Sequence, residues 1–193
     1  MRTIERNEIL PLGEYELIRP HFRARIIEEK RARRVRLGDQ LAVTFENRDT
    51  VLLQIQEMLR TERITAEPAI AHEITTYNDL VPGPDQVSLI LWVEIADKAL
   101  RDQRLVDLAG LEDTVKIEVD GRSFDVKGPR PDGFMEGRTT AVHYLKAQLS
   151  PGAAAALKSG KATVTMVVEH AASPLRVELD RGTVARLAED LAA

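Results

Sequence analysis

Two of the four histidines in the sequence lie where a metal ion could be bound. His143 alternates with Leu145, and His170 alternates with Val168, inside segments that resemble strands. This period of two places both imidazoles on the apolar face of a sheet. If the two strands pair antiparallel, the Cβ atoms of the two histidines lie roughly 5 to 8 Å apart. Two imidazoles and one carboxylate are a ligand set typical of non-heme iron enzymes.

Each of these histidines also has a plainer interpretation, which stays open at this point. A histidine on an apolar face is usually a core residue whose ring nitrogens are hydrogen-bonded. His170, at the end of its strand, could also turn toward water. The other two histidines, His21 and His72, fall on polar sides of helices, and we expect both to be exposed.

Three glutamates are candidates for the carboxylate ligand. At about 100° per residue, Glu62 falls in the same sector of a predicted helix as Val51 and Leu59. Burying this carboxylate without a partner is costly, so it must meet an arginine, a metal ion, or water at the helix end. Glu73 borders the buried face of the next helix, whereas Glu57 points away and is expected to be exposed or ion-paired. The cofactor of this alternative is iron or another divalent metal.

The sequence contains no cysteine. This excludes a disulfide scaffold, a zinc ribbon, a thiol nucleophile and an iron–sulfur cluster held by the chain's own thiolates. The sequence also lacks a glycine-rich phosphate loop, a nucleophile elbow and a His-Glu-x-x-His helix. No standard catalytic motif therefore identifies a reaction.

Arginines suggest a second kind of site, for a ligand or a partner. The only dense basic run, which includes Arg31 and Arg34, follows a predicted helix, where the helix dipole favours positive charge. Its alternative role is binding an acidic partner, a phosphorylated ligand or RNA. Arg60 and Arg138 could bind a small ligand, with the loop over 128–139 as a lid. Because almost no aromatic residues interleave with the basic run, base stacking is disfavoured and a protein partner is preferred over nucleic acid.

Composition predicts one ordinary domain, or at most two small ones. The chain has 193 residues, 44% of them hydrophobic and 30% charged, and its formal net charge is -4. That balance argues against binding nucleic acid through the overall field. Residues 1–17 lack the apolar core of a signal peptide, and the longest apolar stretches have the length of a strand. We therefore expect a cytoplasmic protein with no membrane segment.

The elements that must position these residues change character near Pro82-Gly83-Pro84. Before it, spacing predicts helices over about 13–33, after Asn47 and after Pro68, with a hairpin over 35–45. Tyr15, Ile18, Phe22 and Ile26 form the apolar stripe of the first helix, and Pro20 predicts a kink or a late start there.

Strands dominate the second half. Strands are expected over 87–95, on both sides of Asp120-Gly121, over 141–149, over 162–170 and near 175–179, with helices over 98–108, after Ser150 and at the C-terminus. Asp120-Gly121 is suited to a two-residue hairpin that sets Ile117 opposite Phe124. We predict an α+β fold: N-terminal helices packed on a mainly antiparallel sheet, with a C-terminal helix. Residues 1–193 form a single unit, helical over about 11–82 and mainly β over about 86–191.

Four segments carry a resemblance to a known family. They are Phe45-Glu46-Asn47-Arg48; Gln56-Glu57-Met58-Leu59-Arg60-Thr61-Glu62-Arg63; Glu73 with Tyr77-Asn78-Asp79-Leu80-Val81-Pro82; and Val142-His143-Tyr144-Leu145. Together they resemble a bacterial family catalogued as domain of unknown function family 3501. The similarity extends over about 11–191, so it covers nearly the whole chain.

The resemblance implies the cellular system in which the protein works and does not imply an activity. Members of the family are often encoded beside rubrerythrin-like proteins and iron–sulfur oxidoreductases, which implies a role in a redox or oxidative-stress system. On this basis we expect a non-catalytic accessory protein that docks on an iron–sulfur or rubrerythrin-type partner and carries no cluster itself. The metal-dependent enzyme is the alternative. One departure concerns His170, which the family follows with Pro and Tyr, whereas this chain has Ala171 and Ala172.

Overall fold

The computed structural model describes residues 1–130 and 135–193. Its helices are α1 (Leu12–Ala32), α2 (Arg48–Thr61), α3 (Glu67–Asn78), α4 (Lys98–Asp107), α5 (Pro151–Lys158) and α6 (Arg181–Ala192). Its strands are β1 (Arg34–Leu37), β2 (Leu41–Glu46), β3 (Gln86–Val93), β4 (Val115–Val119), β5 (Arg122–Lys127), β6 (Val142–Gln148), β7 (Val164–His170) and β8 (Ser173–Glu178). Of the predicted loop over 128–139, residues 131–134 lie outside the described part.

The strands form one antiparallel sheet that curves nearly into a barrel. Their order is β1-β2-β3-β6-β5-β4-β7-β8. The two outer strands approach each other at Gly38, where an added Cβ would lie 3.3 Å from Leu175 Cδ2. Gly38 also has a φ of +68°, a conformation that side chains with a Cβ rarely adopt. Glycine at this position therefore permits both the turn and the close approach.

The main core lies inside this curved sheet. Inward residues of the strands pack there with Ala153 and Leu157 of α5 and with Val184 and Leu187 of α6. A smaller core joins α2 and α3 to the N-terminal segment through Ile4. Helices and a mainly antiparallel sheet share one chain, so the α+β class is confirmed. Within the described residues, no helix is long and apolar enough to cross a membrane.

Local sequence signals fix several elements as predicted. Asp120 and Gly121 have φ angles of 47° and 76°, as a two-residue hairpin turn requires, and Ile117 lies opposite Phe124. Asn47 caps α2 by accepting a hydrogen bond from the Thr50 backbone N–H. These features depend on neighbours within a few residues, and short-range chemistry specifies them.

The condition for a shared histidine site is not met, and one residue of the predicted stripe on α1 is exposed. The strand of His143 does not pair with the strand of His170, because β5 and β4 lie between β6 and β7. In α1, Ile18 is 45% exposed, while Tyr15 and Ile26 are buried. The helix also runs through Pro20, whose ring removes a hydrogen bond from the carbonyl of Glu16. Glu16 and Pro20 are both exposed, so water can bind the carbonyl of Glu16.

Candidate functional site

A cavity of about 220 Å³ lies between the end of α3 and the outer face of β6. We call it the Tyr–Lys pocket. It is lined by Thr76, Tyr77, Asp79, Leu80, Lys127, Gly128, Pro129, Tyr144, Leu145 and Lys146. Most of this lining is aromatic or aliphatic, and two amines and one carboxylate are the charged groups. A small apolar pocket with a few polar groups is the usual form of a ligand site.

The alternation of β6 places two of its side chains in the pocket. Leu145 and Ala147 are buried toward the barrel core, so Tyr144 and Lys146 point to the outer face. Tyr144 is 37% exposed and stands at the mouth of the cavity. The strand thus contributes an aromatic ring and an amine on one surface.

The end of α3 forms the opposite wall and is tied in place. Asn78 accepts a hydrogen bond of 2.8 Å from the Ile4 backbone N–H and donates one of 2.9 Å to the Ile4 carbonyl. Tyr77, one residue earlier, lines the pocket. Burial raises the pKa of Tyr77, and Tyr144 and Glu73 add to the rise. The phenol of Tyr77 is therefore neutral at physiological pH.

Gly128 lets the chain after β5 lie directly against β6. A Cβ at this position would lie 1.9 Å from the Tyr144 carbonyl oxygen, which no real Cβ contact allows. The position therefore requires glycine. Pro129 follows and completes that side of the pocket.

Lys146 is the most unusual charged group of the pocket. Its Nζ donates a hydrogen bond of 3.1 Å to the carbonyl oxygen of Val81. Among the described residues it forms no ion pair, whereas five other lysines do: Lys30, Lys98, Lys116, Lys127 and Lys158. Burial lowers the pKa of Lys146, and Asp79 opposes that shift. The amine is thus partly withdrawn from water, and no carboxylate of the described residues forms an ion pair with it.

The neighbours of Lys146 on the sheet add a second positive charge and a buried hydroxyl group. Lys127 lies directly opposite it on β5, and Ser88 lies opposite on β3. Like charges that face each other across two strands are destabilising. Lys127 meets Asp125 at 3.1 Å, whereas the hydroxyl of Ser88 is buried and, in the described part of the chain, has no hydrogen-bond partner. The surroundings of Lys146 therefore favour an added anion.

His143 is held inside the core by contacts of its Nε2 atom. Its Nε2 lies 2.9 Å from both Thr139 Oγ1 and the Thr140 carbonyl oxygen. Thr139 Oγ1 donates to Glu112 Oε2 at 2.8 Å, so Nε2 of the neutral ring must carry the hydrogen. Burial lowers the pKa of His143, and Glu112 opposes that shift.

His170 is held by different groups. Its Nε2 lies 3.1 Å from the Ala109 carbonyl oxygen, and its Nδ1 accepts from the Ala172 backbone N–H at 3.2 Å. In the ranges that the structure describes, no group of three or more His, Asp or Glu side chains could hold a metal ion. His143 and His170 thus have separate hydrogen-bond partners.

The predicted carboxylates also lie in separate places. Glu62 is exposed, because α2 ends at Thr61 before the helix can bury it. Glu73 is half-buried on α3. Glu57 is ion-paired, as one alternative predicted: it accepts hydrogen bonds from Tyr15 at 2.6 Å and from Arg19 at 2.7 and 2.9 Å.

Each arginine predicted to bind a ligand has an acidic partner within the chain. The pairs are Arg60 with Glu16, Arg138 with Asp102, Arg31 with Glu28, and Arg34 with Glu94. Most of these side chains are partly or largely exposed. They lie on different elements and do not converge on the Tyr–Lys pocket.

A second groove, of about 490 Å³, lies near both chain ends. Its charged groups already compensate one another. Arg33 pairs with Glu29 and Asp190, and Arg48 pairs with Glu8. The groove is wide and open, and a ligand there would have to displace existing ion pairs. The Tyr–Lys pocket is therefore the better candidate.

Sequence reasoning missed the Tyr–Lys pocket, although two signals for it were present. Tyr144 and Lys146 occupy outward positions of a strand whose inward positions are apolar. Tyr77 and Tyr144 both belong to segments that carry the family resemblance. Nothing local indicates, however, that a helix end would meet a strand some 65 residues away, the separation of Val81 and Lys146.

Comparisons with known proteins add a family and a structural relative. Residues 3–191 match the family described as "Protein of unknown function (DUF3501)". A solved crystal structure, of a novel protein of unknown function from Burkholderia pseudomallei K96243, is 31% identical in sequence with a TM-score of 0.90. The match covers 98% of this chain and 100% of that one. No curated protein matches the chain.

Proposed function

We propose a ligand-binding function for this chain, which belongs to the DUF3501 family of proteins of unknown function. In this proposal the chain is a non-catalytic binding protein, and the Tyr–Lys pocket takes a compact organic anion with a flat apolar body. One observation carries it: the Lys146 amine lies at an apolar pocket without an acidic partner among the described residues.

The shape and chemistry of the pocket support this ligand class. Its volume of about 220 Å³ is below the roughly 300 to 1,000 Å³ of pockets for drug-sized molecules. A single substituted ring suits that space. Tyr77 and Tyr144 offer aromatic surfaces for the ring. A carboxylate or phosphate on the ring would compensate the charge of Lys146.

Thermal unfolding with simple probes tests the proposal. We expect benzoate to raise the unfolding midpoint and benzamide, its neutral counterpart, to leave it unchanged. At a concentration ten times its dissociation constant, a ligand stabilises the folded state by about 1.4 kcal/mol. For a chain of this size that corresponds to a shift of about 3 to 6 °C.

Two variants and a matched control make the test specific. Lys146→Met and Tyr144→Ala should abolish the benzoate shift. Lys161→Met should keep it, because Lys161 is exposed and does not line the pocket. Equal shifts with benzoate and benzamide, or an unchanged shift in Lys146→Met, would contradict the proposal.

The accessory role implied by the family resemblance enters here as a proposal about the partner. In it, the chain works beside a rubrerythrin-like or iron–sulfur protein of a redox system and carries no cluster itself. Pull-down of the purified chain with such proteins tests this role. Association at micromolar concentration supports it, and its absence contradicts it without affecting the test of the pocket.

A further inference from the structure

We propose that the Nζ atom of Lys146 captures a small aromatic aldehyde in the Tyr–Lys pocket as an imine. This inference rests on the proposed function, because it assigns a reactive ligand class to the same pocket. It goes further, since it names one atom as a nucleophile and predicts a covalent adduct.

The surroundings of the amine carry the inference. Among the residues that the structure describes, Nζ has one hydrogen-bond partner, the neutral carbonyl oxygen of Val81, at 3.1 Å. The more usual arrangement in this chain is that of Lys30, whose Nζ lies 3.0 Å from the buried carboxylate of Glu46. Lys146 forms no such ion pair among the described residues, and Asp79, which lines the same pocket, is the charge that favours its protonated form. Burial against the apolar wall of the pocket opposes Asp79 and favours the neutral amine, which is the nucleophile.

The pocket also supplies a place for the aldehyde. Tyr77 and Tyr144 provide flat surfaces for an aromatic ring, and Leu80 and Leu145 exclude water around it. With the ring between these walls, a formyl group directed at β6 reaches Lys146. An acidic substituent on the ring then competes with Asp125 for the second amine, on Lys127.

The reaction needs no oxidant or reductant. The lone pair of the neutral Nζ forms a bond to the carbonyl carbon, and the carbon–oxygen π electrons move to oxygen, which takes up a proton. The resulting carbinolamine loses its hydroxyl group and the remaining amine proton as one water molecule, leaving a carbon–nitrogen double bond. One amine and one aldehyde thus give one imine and one water.

Reductive trapping tests the inference on the whole chain. The chain is incubated with 4-formylbenzoate and sodium cyanoborohydride, and the modified lysines are mapped by peptide mass spectrometry. We expect Lys146 to be labelled severalfold faster than exposed Lys161, because the pocket holds the aldehyde beside an amine that forms no ion pair among the described residues. Excess benzoate should slow the labelling of Lys146 and leave that of Lys161 unchanged.

A charge-preserving variant separates this inference from the proposed function. Lys146→Arg keeps a cation in the pocket but cannot form the imine, so it should bind benzoate and lose the label. Labelling of all lysines in proportion to exposure, or labelling of Lys146 that benzoate does not slow, would overturn the imine. Benzoate stabilisation of the wild-type chain without labelling of Lys146 overturns the imine alone. Absence of benzoate stabilisation overturns the proposed function itself.

Discussion

At the scale of residues, the proposed site depends on a lysine that lacks an ion pair within the described ranges and on a glycine that packs against backbone. Lys146 lacks an acidic partner in the described part of the chain, and Gly128 lies against the backbone of β6. His143 shows the opposite case. Its Nε2 is hydrogen-bonded inside the core, which supports a structural role for this residue. A histidine on an apolar face therefore needs its partners known before chemistry is assigned to it.

Replacing Gly128 by alanine should damage both fold and pocket. The added Cβ would meet the Tyr144 carbonyl oxygen at 1.9 Å, so one of the two backbones must move. We expect Gly128→Ala to lower the free energy of unfolding by about 1 to 3 kcal/mol in urea titration, and to abolish the benzoate shift.

Gly13→Ala is the matched control for that change. Gly13 lies in α1, and an added Cβ would meet nothing within 4 Å. Alanine in a helix is favoured over glycine by about 0.5 to 1 kcal/mol, so this variant should be slightly more stable. If Gly128→Ala behaved like Gly13→Ala, the described contact between loop and strand would be wrong.

The buried ring of His143 should make stability depend on pH. Burial lowers the pKa of His143 in the folded state, so the unfolded chain binds a proton first as the pH falls. This contribution is therefore fully present above about pH 6.5, the pKa of an unperturbed histidine, and is lost below it. Urea titrations between pH 5 and 8, about the range in which histidine titrates, measure the change.

Two histidine variants test whether His143 causes the dependence of stability on pH. His143→Leu should flatten the pH profile in the window below about pH 6.5. His72→Gln, which changes an exposed histidine, should leave the profile as it is in the wild-type chain. An identical profile in His143→Leu would show that other groups cause the dependence.

At the scale of elements, one buried ion cluster joins three helices. Arg33 follows α1 directly, and its side chain is only 2% exposed. Its Nε donates to Glu29 at 2.7 Å, and its two terminal nitrogens donate to Asp190 of α6. Asn47, the cap of α2, donates to the same carboxylate at 3.4 Å. Burial raises the pKa of Asp190, and Arg33 opposes that shift.

Removing one member of this cluster should be far more damaging than removing a surface pair. Arg33→Met leaves Asp190 buried without its partner and should lower the free energy of unfolding by about 3 to 5 kcal/mol. Arg31→Met breaks only an exposed pair and should cost at most about 1 kcal/mol. Urea titration of both variants measures the difference, and similar values would contradict the buried cluster.

Elements were predictable wherever their signals are local. The hairpin at Asp120-Gly121 and the cap at Asn47 follow from chemistry within a few residues. The pairing of strands is not local in this sense. Between β6 and β7 the chain passes only through α5, a connection short enough for adjacent strands, yet β5 and β4 occupy the space between them. Such an order depends on packing of the whole sheet, which periodicity does not encode.

At the scale of the whole molecule, the pocket exists only because distant segments meet. The end of α3 reaches β6 through Val81 and Lys146, and Asn78 is tied to Ile4, 74 residues away. Composition and periodicity predict the α+β class. Neither predicts that the end of α3 meets β6. The sequence features that first suggested chemistry, His143 and Arg60 among them, are instead engaged in internal contacts.

The central claim is that the Tyr–Lys pocket binds a small organic anion, and titration with benzoate followed by amide NMR tests it most directly. We expect the shift changes to cluster at Tyr77, Gly128 and Tyr144 through Lys146, and to saturate with one dissociation constant. The changes should vanish in Lys146→Met and persist in Lys161→Met. Changes confined to the groove around Arg33 and Arg48, or no saturable change at all, would contradict the claim.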